Sequence, residues 1–216
     1  MTVNPNSAPP AQFNITNILG VDVAQAPTTP FSAASSTQLF YPENNNPPVS
    51  PGTIVLAGGN STYCFCQVGT VGSINTGDFV AFIQSVASTF TINQLGSAQA
   101  LAGVRVGVYQ GSAISYGSGA SLPASTSVTT QWCWIATSGT NLVGNVISTT
   151  SNVQPLFVTA TAGQLSSAST TTFMVAGVVN TASVTSGLGA NVLPIAANQM
   201  MIMQLLGSAV TNFGPY

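Results

Sequence analysis

Charge is almost missing from this chain, and its absence narrows the possible folds more than any motif does. The 216 residues hold one cation, Arg105, three acids, Asp22, Glu43 and Asp78, and no histidine. An ordinary domain carries about 25% charged residues, whereas this one carries 2%. Exposed helix faces are usually built from Glu, Lys and Arg, so a mainly helical fold lacks its material. The chemistry narrows with the fold. Binding to a phosphate backbone needs a cationic footprint that one arginine does not supply, so no nucleic acid is expected as a partner. The same shortage argues against docking on anionic membranes. Without histidine, neither a Ser-His-Asp nor a Cys-His system can be assembled within the chain, and three carboxylates leave little for acid–base catalysis. The chain is expected not to be an enzyme and to use no cofactor.

Apolar residues make up 45% of the sequence, enough for a sizeable core. The mean hydropathy of +0.42 reflects missing charge. The most apolar stretch, 192–206, is interrupted by Pro194, Asn198, Gln199 and Gln204. It is shorter than the roughly 20 residues a spanning helix needs, so no membrane span is expected. The opening MTVNPNSAPPAQ has neither a basic segment nor an apolar one and does not read as a secretion signal. A nearly neutral surface gives little colloidal repulsion, and assembly is one way to hide its apolar patches.

The prolines divide the chain. Nine of the 13 lie within residues 1–51, from Pro5 to Pro51. Proline fixes φ and removes a ladder donor, so residues 1–51 read as an extended N-terminal arm and 52–216 as the body. The arm carries apolar anchors at Phe13, Ile15, Ile18, Leu19, Phe31, Leu39, Phe40 and Tyr41. A disordered tail has no need of them, so the arm is expected to dock on its own body or on a neighbour. From residue 52 onward, runs rich in Val, Ile, Thr and aromatics alternate with Gly, Ser and Asn clusters. Strands are expected over 53–56, 62–68, 78–86, 89–93, 103–109, 131–137, 143–147, 156–160, 173–179 and 199–205. The fold class is therefore all-β, with a β-sandwich, jelly-roll or barrel-like body.

Few side chains are candidates for chemistry. Cys64 and Cys66 form a C-x-C whose thiols share one strand face. With Cys133 they lack a fourth ligand for a metal site, and buried structural thiols are the simpler reading. Trp132 and Trp134 also share a face. They read either as a surface packed by the arm or a subunit, or, with Tyr109, as a platform for stacking a sugar. Asp78, after Gly77, fits turn chemistry or a cation site. Arg105 is expected to pair with Asp78 or with a partner's acid.

Three segments carry a resemblance. GGNSTYCFCQVGTVGSINTGDFVAF (58–82), QWCWIATSG (131–139) and VQPLFVTATAGQLSS (153–167), the last followed by the apolar strand FMVAGVV (173–179), resemble segments of tailed-phage head decoration (cement) and related capsid-surface proteins, in the same order. The resemblance covers a little over half the chain and leaves out the arm and the C-terminal part. It implies a β-rich, commonly trimeric virion protein, made in the host cytoplasm. Such a protein clamps the outside of the major capsid lattice and has no enzyme activity. Its expected partners are the major capsid protein and its own copies, met through the arm anchors and Trp132 and Trp134. A tail or receptor- and glycan-binding protein, and a shell-forming capsid subunit, are the alternatives.

Overall fold

The computed structural model describes residues 40–41, 50–57, 61–70, 72–85, 88–110, 132–148, 154–168, 173–184 and 200–212. Among them there is no helix, and eleven strands form one continuous sheet. In chain order these are β1 (Phe40–Tyr41), β2 (Ile54–Ala57), β3 (Ser61–Val68), β4 (Phe79–Ser85), β5 (Ser88–Gln94), β6 (Val106–Val108), β7 (Trp132–Asn145), β8 (Leu156–Val158), β9 (Leu165–Ser166), β10 (Phe173–Val184) and β11 (Met200–Asn212). The protein is all-β. Of the architectures expected, the barrel is the one found.

Five strands close that barrel in the order β3-β5-β4-β6-β7, with β7 returning to β3. From β3 the chain crosses to β4, two places away, and a hairpin then brings β5 back to fill the gap. The result is the single parallel pairing between named strands, with Gln67 opposite Thr91. Alternate residues of these strands point into the lumen. There Cys64, Cys66, Val80, Phe82, Ile92, Cys133 and Ile135 form one buried cluster, with Tyr109 just past β6. The space is full: a Cβ on Gly107 would overlap Ile135 Cγ2.

Strand β7 links this barrel to the rest of the sheet. Its first half lies in the barrel wall against β3, and its second half pairs with β11. The sheet continues through β10 and β8 to β9. It then curls back, because Leu165 bridges Val146 just beyond β7 and accepts a hydrogen bond from Ile147 N at 3.0 Å. The outer face of the barrel is therefore also buried. Tyr63, Phe65, Trp132 and Trp134 on that face belong to one core cluster with Leu142, Leu156, Val175, Met203 and Val210 of the second half.

The sequence reading placed two strands at 131–137 and 143–147, but the structure has one strand of 14 residues. The Ser-Gly-Thr interruption is a change of partner inside a strand. A register shift at Thr62/Tyr63 and another at Met203/Leu205 flank it, and Gly139 sits between them with φ 134°. A Cβ at Gly139 would overlap the Oγ and the Cα of Ser61. Gly139→Ala therefore combines a disfavoured φ with a clash against backbone, together costing about 3 kcal/mol. Thermal melts followed by circular dichroism should show a drop of several degrees. The short strand β9 was not expected from the sequence, and β10 and β11 run further than their apolar stretches indicated.

Candidate partner-binding face

Directly paired residues of neighbouring strands point to the same side of a sheet. Leu56 of β2 pairs with Thr62 of β3, Thr62 with Ser138 of β7, and Ser138 with Leu206 of β11. One lateral row thus crosses four strands, with a leucine at each end. Ile54 lies two residues from Leu56 and shares its side. Ile54, Leu56 and Leu206 are 55%, 59% and 60% exposed, and Thr62 and Ser138 between them are half-buried. These five residues carry no charge and are partly apolar. Single exposed leucines are ordinary; here Ile54 and Leu56 stand together at one end of the row and Leu206 at the other, which makes this side of the sheet the candidate contact face. The sequence reading missed all three residues. The alternation in TIVLA puts Ile54 and Leu56 on one side, yet Val55 on the other is equally apolar, so nothing in the sequence says which side meets solvent.

A second concavity lies near β6. Phe82, Ile83, Ala98, Leu101, Val104 and Arg105 are among the residues lining a cleft of about 490 Å³. Arg105 is exposed, and its guanidinium carbon sits 4.9 Å from the centroid of the Phe82 ring. The expected pairing of Arg105 with Asp78 is not found, because Asp78 is buried in a network of amides. Its Oδ2 accepts from Asn75 N (2.7 Å), Asn75 Nδ2 (3.2 Å) and Gln94 Nε2 (2.6 Å), and its Oδ1 accepts from Asn145 Nδ2 (2.8 Å). Burial pushes the Asp78 carboxyl above the ordinary aspartate value, and the converging donors oppose that rise. Gly163 closes over the site, since a Cβ there would lie 2.6 Å from Asp78 Cγ. The carboxylate joins the start of β4 to the ends of β5 and β7. The expected turn chemistry is present, since Asp78 N donates to Asn75 O at 3.0 Å across Thr76 and Gly77, and the carboxylate in addition holds the ends of β5 and β7 to that turn.

The aromatic candidates are inside the molecule. Trp134 is 1% exposed and Trp132 7%. Phe65 stacks on Trp132 with centroids 5.8 Å apart and tilts against Trp134 at 5.0 Å. Tyr109 is buried in the lumen. A sugar ring has no access to these faces in this structure, and the two indoles serve this chain's own core. Of the arm anchors, Phe40 and Tyr41 form β1, opposite Cys133 and Trp132 of β7. Phe13, Ile15, Ile18, Leu19, Phe31 and Leu39 lie outside the described residues.

All three cysteines are free thiols buried in the lumen. Burial pushes the thiols of Cys66 and Cys133 well above the ordinary value, which removes the thiolate that reacts; the hydrogen bond with Cys66 holds Cys64 below it, so Cys64 is shielded by its complete burial alone. No group of three metal-binding side chains occurs among the described residues. Native protein is expected to take up no thiol reagent within minutes and to take up three equivalents in guanidinium. Mass spectrometry of the alkylated chain checks this.

No protein-family model, curated protein or solved structure matches this chain.

Proposed function

We propose that this chain is a capsid decoration (cement) protein of a tailed phage, binding the outside of the major capsid lattice as a homotrimer and stabilising the head. The observation that carries the reading is the uncharged face bearing Ile54, Leu56 and Leu206 on a protein with almost no charge elsewhere. Such a face binds by excluding water and by neutral hydrogen bonds, and it suits permanent attachment to a preformed shell. The Pro-rich arm supports the same reading, because preset φ angles lower the entropy lost on docking. The resemblance of 58–82, 131–139 and 153–167 to capsid-surface proteins points the same way. These segments supply β3 and β4, the bulged half of β7, and the Gly163 loop over Asp78.

The test is co-sedimentation of purified protein with phage heads that lack it, at 0.1 M and 1 M NaCl, followed by cryo-electron microscopy of the pelleted particles. Saturable binding that survives 1 M NaCl, with density at lattice junctions on the outside, is expected. Release at high salt with the heads intact would contradict the neutral contact. Closed shells formed by this chain alone would make it a capsid subunit instead.

A further inference from the structure

Arg105 is the one positive side chain of the sequence, and it stands in a cleft without a counterion. Asp78, the one acid among the described residues, is buried elsewhere on four amide donors. The guanidinium lies over the Phe82 ring, 4.9 Å from its centroid, a cation–π attraction. That contact uses none of the N–H donors of the guanidinium fork, and no described residue accepts from them. The surface beside the charge is apolar. Ile83 and Val104 are partly buried against the core, and Leu101 is 64% exposed.

The walls of the cleft are fixed by main-chain hydrogen bonds. Along 96–104, Gln99 N donates to Gly96 O at 3.0 Å, Leu101 N to Gln99 O at 2.9 Å and Val104 N to Leu101 O at 3.0 Å. Two further bonds tie this wall to β11, from Gly103 N to Val210 O at 2.8 Å and from Val210 N to Val104 O at 2.9 Å. On the other side Phe82 N donates to Arg105 O at 3.0 Å, so the ring and the cation over it come from directly bonded main chains. A site whose walls are already set loses little entropy on binding. Its volume of about 490 Å³ is that of a small-ligand pocket.

We infer that this cleft binds a small monocarboxylate with an apolar body, the carboxylate on the Arg105 fork and the body against Ile83, Leu101 and Val104. The planar fork matches a carboxylate with two parallel hydrogen bonds. A single cation balances a single negative charge. A phosphate dianion or a dicarboxylate would carry a second charge, unpaired, against the apolar wall, and that is costly. An inorganic anion would leave Leu101 in water, whereas an apolar body covers it and gains by doing so. The cleft shares no residue with the face of Ile54, Leu56 and Leu206, so this site stands or falls independently of the head contact.

NMR titration of the full chain with hexanoate, and with 1-hexanol as its uncharged counterpart, tests this. In the parent, hexanoate should bind saturably with a Kd of about 1 mM or below, with amide shifts confined to 82–83 and 98–105. The alcohol should bind at least about tenfold more weakly, because it lacks the charge that meets the guanidinium. Arg105→Gln should lose at least about tenfold in affinity for hexanoate and keep its affinity for the alcohol. Leu101→Asp, which sets a like charge in the wall, should weaken hexanoate binding as well and serves if Arg105→Gln does not fold. An unchanged Val55 amide reports in each variant that the body is intact. Equal affinity of the parent for acid and alcohol would overturn the inference. So would equal hexanoate binding by parent and folded variants, or shifts that fail to saturate or that lie away from the cleft.

Discussion

The double variant Leu56→Asp, Leu206→Asp is expected to fold as the parent does and to lose binding to phage heads by a factor of at least about 1,000. Both side chains are mostly exposed, and substitutions at such positions usually change stability by no more than about 0.5 kcal/mol. In a contact the balance reverses. Each leucine would lose the apolar area it buries, and each aspartate would bring an unpaired charge into a desolvated surface. One such charge typically costs about 2–5 kcal/mol, and a factor of 1,000 corresponds to about 4 kcal/mol. The two residues sit at opposite ends of the row through Thr62 and Ser138, so a partner covering the face must meet both. Leu101→Asp is the control: it is 64% exposed but lines the separate Arg105 cleft, and it should bind normally. Titration of heads with labelled protein measures the affinities, and thermal melts check the fold. Equal binding by the double variant and the parent would move the contact to another surface.

The sequence revealed the strands better than their partners. Strand β3 was legible because STYCFCQV alternates two apolar faces, and both are buried, one in the lumen and one outside it. The same double burial explains why Cys64 could be set on one face with Cys66, and Trp132 with Trp134, while the environment of each face stayed open. Barrel closure was not legible. It depends on β5 inserting between β3 and β4 and on β7 meeting both β3 and β6, and these long-range pairings leave no local mark. Gly139 looked like the end of a strand because a bulge and a turn ask the same of a residue, a positive φ without a side chain. The partners of Asp78 were hidden for a related reason. Asn75 is local, but Gln94 and Asn145 are 16 and 67 residues away, and in a chain this rich in neutral polar residues no amide stands out.

Removing the Asp78 carboxylate should cost more stability than any surface change. Asp78→Ala leaves Gln94 Nε2 and the main-chain N–H of Asn75 without the acceptor they converge on, and leaves Asn145 Nδ2 with Thr76 O alone. A buried donor left unsatisfied costs about 1–3 kcal/mol, so a loss of about 4 kcal/mol is expected even if water replaces part of the carboxylate. That is a large share of the roughly 5–15 kcal/mol that holds a domain folded. The pH dependence then separates charge from hydrogen bonding. Because burial raises the folded-state pKa of Asp78 above the ordinary aspartate value, the folded protein holds a proton that the unfolded chain has lost. This acid therefore contributes stability that is fully present below the unfolded pKa and is lost as pH rises through the folded pKa. Above that window its contribution is flat, because the carboxylate is ionised in both states. Urea midpoints measured across the window should fall with rising pH in the parent relative to Asp78→Asn, which has no proton to lose at this position. The difference between the two proteins isolates Asp78, since Asp22 and Glu43 are common to both. A parent whose stability instead rises with pH relative to Asp78→Asn would mean that the four converging hydrogen bonds outweigh burial and hold the carboxylate ionised.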